Sequence, residues 1–434
     1  MALNLDRSLS DSDYVAMLSV SRLLNGTVTP ADALRYGRQT KGAPPHLLHF
    51  SEDKKPVVVW NITRRCNLFC MHCYLDSHDR DYPGELTTKE GKRLLDGLAA
   101  FGAPTVIFSG GEPLIRPDLF ELAAYAGDLG LRCVLSTNGT LITAEVAQQI
   151  RLTGFSYVGI SLDGIGAAHD KVRGKKGAYQ KSLTGLRLCR DEGVRVGLRF
   201  TIHRKNADQL PAIFDLLESE AIPRCCIYHL AYAGRGDRIR AYDLDPQETR
   251  AAIDYVFDRT IDFHQRGLEK EILTVDNHAD NVYLYVRIQR DQPQRAEEVH
   301  QMLQWNGGNQ SGIAIAAVDP QGGVHADQFS VDYSLGNVPQ RSFGEIWSDA
   351  SEPRMALLKD RKGALKGRCR SCTYLDICNG NLRVRAERYF DDFLAPDPAC
   401  YLTDEEIGLA PGSPEALEAA AWPVPVQKPG TNGR

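Results

Sequence analysis

The sequence lacks any segment that would carry the chain into or across a membrane. Its first residues mix Asp, Arg and Ser with short apolar pieces, without a basic stretch followed by an apolar core, so no signal peptide is predicted. No run of about 18 apolar residues occurs, and a transmembrane helix is therefore not expected. We expect a cytoplasmic protein without a membrane partner.

A strong charge of one sign is also missing. The formal net charge is -5 and the pI is about 6.1, so nothing indicates nucleic acid as a partner. No internal repeat is evident. What remains is an ordinary globular composition, 43% hydrophobic and 25% charged, with enough apolar material over 434 residues for a buried core.

The distribution of the 11 cysteines indicates metal binding. A chain of this length without an export signal is expected in a reducing compartment, where thiolate ligands are commoner than disulfides. Four cysteines lie in apolar or helical patterns and are expected to pack as small hydrophobic side chains, the last two on a strand that could face a cavity: Cys133, Cys189, Cys225 and Cys226. The other seven form two groups: Cys66, Cys70 and Cys73, and Cys369, Cys372, Cys378 and Cys400.

Strand-like and helical apolar patterns alternate along the first half of the chain. The strand-like runs are 57–60, 105–108, 133–135, 157–161, 196–201 and 225–228, and the helical patterns include 88–101, 117–129, 144–152, 178–192 and 209–218. This alternation predicts parallel strands joined by crossover helices. Six such units, with no two more before residue 234, predict an α/β fold: an incomplete (βα)6 TIM-like barrel with a C-terminal extension.

The predicted barrel is one of five segments. They are an N-terminal extension (1–49), the barrel (50–235), a bridging or substrate region (236–340), a domain with the second cysteine group (341–410) and a flexible tail rich in Pro, Ala and Gly (411–434). The extension is expected to contain a short amphipathic helix near residues 14–24. The bridging region is expected to contain a helix over 246–266 and a hairpin of 312–318 with 323–325.

Cys66, Cys70 and Cys73 follow the first predicted strand with the spacing CxxxCxxC. Three thiolates on one loop can hold three irons of a cubane cluster and leave the fourth iron open to a small molecule. Structural zinc is the alternative, but it needs four protein ligands, and His72 lies between two of the cysteines, where its geometry is poor. Spacing this close makes three unligated cysteines the least favoured interpretation.

Polar turns follow the next three strands, at the face where barrel active sites form. They are Ser109-Gly110-Gly111-Glu112-Pro113, Ser136-Thr137-Asn138-Gly139 and Ser161-Leu162-Asp163-Gly164. Glycines let a ligand approach the backbone closely, and a carboxylate accepts hydrogen bonds from an ammonium group. Each turn alone is also typical of an ordinary tight connection, and only the joint pattern is specific.

Together, the cysteine spacing and these turns make residues 56–230 similar to the radical S-adenosylmethionine superfamily. The resemblance implies that the first three cysteines bind a [4Fe–4S] cluster. Its open iron chelates S-adenosylmethionine, which then yields a 5′-deoxyadenosyl radical. The expected cofactor-binding residues are Gly110, Gly111, Glu112, Asn138, Ser161, Asp163 and Arg199. Residues 110–112 match the motif that holds the methionine ammonium, and Ser161 and Asp163 match positions near the ribose. Arg199 is a candidate for the methionine carboxylate or, alternatively, for a buried ion pair.

The second cysteine group has the pattern Cys369-x2-Cys372-x5-Cys378-x21-Cys400. Four thiolates favour a closed site, and spacing alone leaves an auxiliary [4Fe–4S] cluster and structural zinc open. The pattern resembles the SPASM-type extension of radical enzymes, which implies an iron–sulfur cluster. That extension often has seven cysteines, and with four here one auxiliary cluster is implied, with a role in electron transfer or in support of the fold.

Further motifs extend the resemblance over about residues 15–410. They are Trp60-Asn61-Ile62-Thr63-Arg64-Arg65, Leu273-Thr274-Val275-Asp276-Asn277-His278-Ala279-Asp280, Trp305-Asn306-Gly307-Gly308-Asn309, Cys378-Asn379-Gly380-Asn381 and Asp397-Pro398-Ala399-Cys400-Tyr401-Leu402-Thr403. Together they resemble the radical enzymes of siroheme-derived tetrapyrrole synthesis. Residues 24–30 and 34–38 are most similar to the branch that removes acetate side chains from 12,18-didecarboxysiroheme in the alternative heme pathway. Asn281 and Asn379 stand where glycine is expected in the family, so the sister branch of heme d1 synthesis, which removes propionates, stays open.

This resemblance implies an iron tetrapyrrole as substrate and a small electron-donor protein of ferredoxin or flavodoxin type as partner. The implied reaction replaces two acetate side chains with methyl groups: the adenosyl radical abstracts hydrogen at the acetate, the carbon–carbon bond breaks, and an electron and a proton complete the methyl group. Cations and imidazoles suit an acidic, flat substrate. The catalytic candidates are Tyr228, His229 and His278, with Arg235 and His325 as further possibilities. His229, at the end of the sixth strand, could ligate the substrate iron or donate a proton. Each histidine has a buried or capping role as its alternative.

Two other classes of protein are compatible with parts of the pattern. A peptide-modifying radical maturase also carries C-terminal clusters, but it usually has an N-terminal winged-helix domain, for which 49 residues are too few. A non-catalytic iron–sulfur electron carrier would need neither an open three-cysteine site nor a Gly-Gly-Glu turn. Both are less favoured than a tetrapyrrole-modifying enzyme.

Overall fold

One continuous sheet organises the protein, for which the computed structural model describes residues 18–27 and 55–420. Its strands are β1 (Val57–Asn61), β2 (Thr105–Ser109), β3 (Arg132–Thr137), β4 (Tyr157–Ser161), β5 (Val196–Ile202), β6 (Arg224–His229), β7 (Glu271–Val275), β8 (Ile315–Val318), β9 (Gly323–His325) and β10 (Gly336–Asn337). The strand order is β10-β9-β8-β1-β2-β3-β4-β5-β6-β7. The part from β8 through β7 is parallel, and β9 and β10 continue it as antiparallel strands.

Helices connect the parallel strands and cover the sheet. They are α1 (Val20–Asn25), α2 (Thr88–Phe101), α3 (Leu119–Asp128), α4 (Ala144–Thr153), α5 (Ala167–Arg173), α6 (Ala178–Asp191), α7 (Leu210–Ser219), α8 (Arg235–Arg238), α9 (Pro246–Gln265), α10 (Ala279–Asp291), α11 (Ala296–Asn306), α12 (Phe343–Trp347), α13 (Pro353–Lys359), α14 (Leu375–Cys378), α15 (Arg383–Phe390) and α16 (Pro414–Ala420). Local sequence sets several of their ends. For α2, Thr87 and Glu90 form a reciprocal capping box, and Gly102 ends the helix in the left-handed conformation.

The barrel strands place alternate residues in two environments. On β5, Leu198 and Phe200 are fully buried and belong to the same hydrophobic core as Phe214 of α7. The residues that alternate with them, Arg199 and Thr201, point to the other face and line a central cavity. Side chains alternate between the two faces of a strand. The apolar side chains on one face therefore pack against the helices, and the side chains on the other face are available to line a site.

The sheet extends beyond the six predicted strands. The predicted hairpin is confirmed, since β8 and β9 are antiparallel with Val318 opposite Val324. Two further strands are parallel to the barrel strands: β7 pairs with β6, and β8 pairs with β1. The predicted incomplete TIM-like barrel is thus confirmed, and in the described residues two more parallel strands, β7 and β8, extend the six predicted strands at their two edges.

Helix α1 protects the outer edge of β7. The hydroxyl of Ser21 donates a hydrogen bond to the carbonyl of Lys270 at 2.8 Å and accepts one from the amide of Ile272 at 2.9 Å. An uncovered edge strand would present unpaired backbone groups, so this contact ties the N-terminal segment to the sheet. The helix begins at Val20, and the earlier part of the predicted helix over 14–24 lies outside the described residues.

The bridging region shares one sheet with the barrel, because its strands β7 to β10 all belong to the same ten-stranded sheet as β1 to β6. The division of the chain at residues 235 and 340 therefore stays a prediction about its modules. Most of the extension 1–49 and residues 421–434 of the tail lie outside the described part. None of the helices within the described ranges is both long and apolar enough to cross a bilayer.

Candidate active site

A cavity of about 300 Å³ lies at the C-terminal ends of the parallel strands, at the lower end of the roughly 300–1,000 Å³ of small-molecule sites. It brings together most of the predicted site residues. Its lining includes Cys66, Cys70, Cys73, Gly110, Gly111, Asn138, Ser161, Arg199, Tyr228, His229 and His278. The second cysteine group and two predicted cofactor ligands, Glu112 and Asp163, do not line it within the described residues.

Each thiol of the first cysteine group has a nitrogen donor beside it. The amide of Leu68 lies 3.4 Å from Sγ of Cys66, and the amide of Ser77 lies 3.5 Å from Sγ of Cys73. The guanidinium of Arg173 donates toward Sγ of Cys70 at 3.5 Å. Such donors stabilise sulfur in its thiolate form, which is the form that ligates metal.

Arg173 links this loop to Asp163. Its Nε lies 2.6 Å from Oδ2 of Asp163, and both side chains are buried. The other carboxylate oxygen of Asp163 accepts the amide hydrogen of Thr201 at 2.8 Å. Asp163 is therefore an anchor for Arg173 behind the cavity wall, while its ribose contact stays a prediction. Arg173 was not singled out from the sequence, because it lies on the short helix α5, far along the chain from the cysteines.

The two glycines after β2 approach the segment that precedes the first cysteine. A Cβ at Gly110 would lie 2.4 Å from the carbonyl oxygen of Thr63, and one at Gly111 would lie 2.2 Å from that of Arg65. The amide of Gly111 donates to Thr63 at 2.8 Å, and that of Glu112 donates to Arg65 at 2.9 Å. The glycines thus permit two loops of the chain itself to pack closely, in addition to lining the cavity.

Glu112 is fully buried, and its carboxylate is held by neighbouring turns. It accepts hydrogen bonds from the hydroxyl of Thr137 at 2.7 Å, the amide of Asn138 at 2.8 Å and the amide of Leu114 at 3.2 Å. Burial raises the pKa of this carboxyl against the effect of the three donors. Glu112 fixes the position of Asn138, whose side-chain nitrogen lies 3.9 Å from Sγ of Cys66. Its contact with a cofactor ammonium stays a prediction.

Arg199 is a buried cation whose hydrogen-bond partners are hydroxyl groups rather than a carboxylate. Its Nη2 donates to the hydroxyl of Tyr228 at 2.7 Å, and its Nη1 donates to the hydroxyl of Ser136. Within the described residues Arg199 forms no ion pair, so the structure does not contain the alternative, a structural salt bridge. Both Arg199 and the neighbouring Ser161 face the cavity, where an anionic group could reach them.

His229 lines the cavity at the end of β6 and is oriented from behind. Its Nε2 lies 2.9 Å from Oδ2 of Asp280, whose Oδ1 accepts the hydroxyl hydrogen of Tyr401 at 2.9 Å. Burial lowers the pKa of His229, but the charge and hydrogen bond of Asp280 outweigh it and raise the pKa overall. For His278, burial dominates and lowers the pKa to about 4. The pKa values of the two imidazoles are therefore shifted in opposite directions.

The other candidates from the sequence have structural partners. His325 lies 3.0 Å from Asp319 and 2.9 Å from the carbonyl of Tyr333, and it does not line the cavity. Arg235 lines the cavity, but its guanidinium holds the first cysteine loop through the carbonyl of Cys70 at 2.7 Å and the carboxylate of Asp76 at 2.8 Å.

The second cysteine group lies in a loop and helix that contact the wall of the cavity. The carbonyl of Cys378 accepts the amide hydrogen of Asn309 at 3.0 Å, and a Cβ at Gly308 would lie 2.3 Å from the Cys378 backbone. Asn309 lines the cavity. The four thiols are near neighbours, because the charges of the other three cysteines act on Cys378. Burial is the main cause that raises the pKa of Cys378, and these charges raise it further. For Cys372, the same causes raise the pKa to about 12.

Asn381 joins this region to the loop that follows β7. Its side chain donates to Oδ1 of Asn277 at 2.6 Å and accepts from the amide of His278 at 2.7 Å. Asn277 in turn donates to the carbonyl of Ala399, next to Cys400, at 3.1 Å. The motifs that begin at Leu273, Trp305, Cys378 and Asp397 thus meet at one wall of the cavity, although they are distant in sequence.

The donor set of the first cysteine group fits an iron–sulfur cluster. Burial raises the pKa of Cys66 and Cys70, so both require a metal to become thiolates near neutral pH. In residues 18–27 and 55–420, no three His, Cys, Asp or Glu side chains converge as ligands of a single metal ion do. In a cubane each thiolate binds a different iron, so the cysteine ligands do not share a single ion.

Comparison with known proteins agrees with this geometry. Residues 60–217 match the family described as the Radical SAM superfamily. The structure of SuiB from Streptococcus suis bound to S-adenosylmethionine superposes with a TM-score of 0.64 at 18% identity, covering 80% of this chain and 78% of that one. At this identity the likeness concerns the fold alone, and it agrees with the incomplete TIM-like barrel of this protein.

Two relatives are similar over most of their length. The chain is 56% identical over 395 residues to the Fe-coproporphyrin III synthase of Methanosarcina barkeri, covering 90% of this chain and 99% of that protein. It is 44% identical over 358 residues to the pre-heme d1 synthase of Dinoroseobacter shibae, covering 82% and 88%. The chain therefore belongs to the radical SAM superfamily and, within it, to the family that includes these two synthases. Membership implies an enzyme that uses a [4Fe–4S] cluster and S-adenosylmethionine.

Proposed function

We propose that the enzyme removes two acetate side chains from 12,18-didecarboxysiroheme and produces iron-coproporphyrin III. The observation that carries this proposal is the convergence of four tetrapyrrole-family motifs on the cavity that also contains the first cysteine group. The 56% identity to an Fe-coproporphyrin III synthase over 99% of that protein supports this branch over heme d1 synthesis.

The proposed ligands of the radical-generating cluster are Cys66, Cys70 and Cys73. S-adenosylmethionine would bind in the space beside these thiols. The residues that face this space are Gly110 and Gly111, with the backbone beside them, Asn138, Ser161 and Arg199. When bound, cluster and cofactor together supply a 5′-deoxyadenosyl radical. Glu112 and Asp163 are assigned positioning roles, because the first holds the turn at Asn138 and the second holds Arg173 against Cys70.

The second cysteine group is proposed to bind one auxiliary [4Fe–4S] cluster through Cys369, Cys372, Cys378 and Cys400. Four thiols with nearby Arg368 and Arg383 form an anion-binding environment, since these guanidinium groups oppose the increase in pKa of the thiols. The backbone contacts of Cys378 with Asn309 connect this site to the cavity. Its proposed role is to exchange an electron with the substrate or to support this wall.

The substrate is assigned to the part of the cavity between β5 and β7. Tyr228 offers a hydroxyl that is held by Arg199, and His229, supported by Asp280, offers an imidazole with a raised pKa. These groups suit the carboxylates of an acidic tetrapyrrole. His278, whose pKa burial lowers to about 4, is assigned as a neutral imidazole. We further propose a cytoplasmic location and a donor protein of ferredoxin or flavodoxin type.

A turnover experiment tests the function directly. Anaerobically reconstituted enzyme is incubated with didecarboxysiroheme, a low-potential reductant and S-adenosylmethionine, and the product mass is measured. Loss of two acetate units supports the proposal. Loss of propionates would favour the heme d1 branch, and unchanged substrate alongside rapid 5′-deoxyadenosine release would favour another substrate, such as a peptide.

Metal analysis tests the two centres separately. The wild-type protein is expected to hold about eight irons in two cubanes. Cys70→Ala should abolish 5′-deoxyadenosine formation and retain about four irons. Zinc in place of four irons would overturn the auxiliary cluster, and persistent 5′-deoxyadenosine formation in Cys70→Ala would overturn the assignment of the first. A protein that holds iron but never cleaves S-adenosylmethionine would be an electron carrier.

A further inference from the structure

Asp276 presents a carboxyl group to the cavity without a protein donor. Two acidic side chains line the cavity, Asp276 and Asp327. Asp327 is fully engaged, since Oδ1 accepts from Phe329 and Ser330 at 2.9 Å and Oδ2 accepts from Ser311. In the part of the chain that the structure describes, no hydrogen bond or ion pair involves the Asp276 carboxyl. An acid that faces a cavity without a partner is available to a ligand.

The backbone at Asp276 has an unusual conformation that surrounding contacts impose. Its φ is 68°, in the left-handed region that non-glycine residues rarely adopt. The carbonyl of Asp276 accepts from Nη2 of Arg385 at 2.6 Å, and Arg385 is itself fully buried against Asp397. Asn381 holds the next two residues from the same side. Several polar contacts therefore hold the backbone that directs the Asp276 side chain.

The charges around the carboxyl come from every element that packs against it. They are Arg385 on α15, His229 on β6, Arg199 on β5 and Asp327 after β9, with the phenols of Tyr74 and Tyr228 also nearby. Burial raises the pKa of Asp276 to about 7, against the effect of the three cationic groups. A carboxyl with this property can release a proton and regain it from solvent near neutral pH.

We propose that Asp276 is the proton donor that completes the released acetate. This inference rests on the proposed function. The expected abstraction at the acetate itself would not break the bond between that acetate and the ring, because the bond that breaks lies one atom away from the radical carbon. The hydrogen is therefore taken from the ring carbon beside the acetate-bearing carbon, which leaves an unpaired electron there. When the bond to the acetate breaks, one of its electrons completes a ring double bond, and the other leaves on the CH2 carbon of the acetate. One electron from the ferredoxin- or flavodoxin-type donor and the proton of the Asp276 carboxyl then form the new C–H bond. The carboxylate is re-protonated from water.

Asp276→Asn is the matched variant for a test, because asparagine has the same shape, tolerates the left-handed conformation and cannot supply this proton. Its 5′-deoxyadenosine formation should remain near that of wild type, while acetate release falls about 100-fold. Acetate release by wild type should decline as pH rises through about 7, and that decline should be absent in the variant. The control is Asp327→Asn, which removes a carboxyl of the same cavity and should retain a decline of acetate release with pH, shifted to lower pH because the charge of Asp327 raises the pKa of Asp276. Acetate release by Asp276→Asn at the wild-type rate would overturn the proposal.

A binding measurement separates failure of this inference from failure of the proposed function. Zinc coproporphyrin III, a fluorescent tetrapyrrole that undergoes no turnover, is titrated into both proteins between pH 6 and pH 8.5. Ionised Asp276 repels the anionic probe, so its affinity for wild type should weaken as pH rises through about 7. The affinity for Asp276→Asn should weaken less, because only the loss of positive charge on His229 then remains. The same pH dependence in both proteins would overturn the role of Asp276. Absence of binding to either would overturn the tetrapyrrole function itself.

Discussion

Nε2 of His229 lies 2.9 Å from Oδ2 of Asp280, and both side chains are buried. This contact raises the pKa of His229 above its value in the unfolded chain despite burial. The stabilisation from the charged pair is therefore fully present below the unfolded pKa of about 6.5. It is lost as pH rises through the higher pKa of the folded state.

From this pair we predict that Asp280→Asn destabilises the protein more at pH 6 than at pH 9. Removal of one partner from a buried pair costs about 3–5 kcal/mol while the imidazole is charged. Urea unfolding at the two pH values measures the difference. The control is Asp291→Asn on the same helix, whose ion pair with Arg290 is exposed and should contribute less than about 1 kcal/mol at either pH. An effect of Asp280→Asn that grows toward pH 9 would contradict the charged pair.

Removal of Arg173 should destabilise both the fold and the first cysteine site. Arg173→Met leaves Asp163 buried without its cation, at a cost of about 3–5 kcal/mol, and deprives Cys70 of its donor. We expect a lower melting temperature and loss of about half of the iron. In the double variant with Asp163→Asn, the stability should recover in part, because no uncompensated charge remains. Iron content should stay low in both, and full recovery of iron in the double variant would rule out a role for the contact with Cys70.

Gly111→Ala should disturb the first cysteine loop through a backbone collision. The added Cβ would lie 2.2 Å from the carbonyl oxygen of Arg65, one residue before Cys66. We expect loss of iron from the first site and a destabilisation of about 1–3 kcal/mol. Gly127→Ala on α3 is the control, since nothing lies within 4 Å of its Cβ and alanine favours a helix by roughly 0.5–1 kcal/mol. Normal iron content in Gly111→Ala would show that the loop can move away.

The strands and helices of the barrel could be predicted because their signals are local. The helix predicted over 88–101 and the strand over 157–161 have the bounds found in the structure. In contrast, the eight-stranded parallel arrangement depends on β7 and β8, which join opposite sides of the barrel after long connections. No periodicity in a short apolar run reveals which distant strand it pairs with.

The site shows the same division between local and distant information. The cysteine spacing and the polar turns after successive strands predicted residues that do line one cavity. The sequence did not reveal that Arg173 reaches Cys70 or that Glu112 and Asp163 lie behind the wall, because these facts depend on tertiary packing. Asn379 has a φ of 56°, a conformation that asparagine adopts more readily than most residues, which explains how it can replace the expected glycine.

Asn381→Gly should loosen the loop that carries Asp276. Asn381 also has a positive φ, so glycine preserves the backbone and deletes only the two bonds to Asn277 and His278. Their loss, which leaves buried polar groups unpaired, should cost about 1–3 kcal/mol. Hydrogen–deuterium exchange should become faster at residues 276–279 and remain unchanged on β2, which takes no part in these two bonds. Because the loop is then less constrained, acetate release should fall while 5′-deoxyadenosine formation persists. Unchanged exchange at residues 276–279 would mean that Arg385 alone is sufficient to hold Asp276 in place.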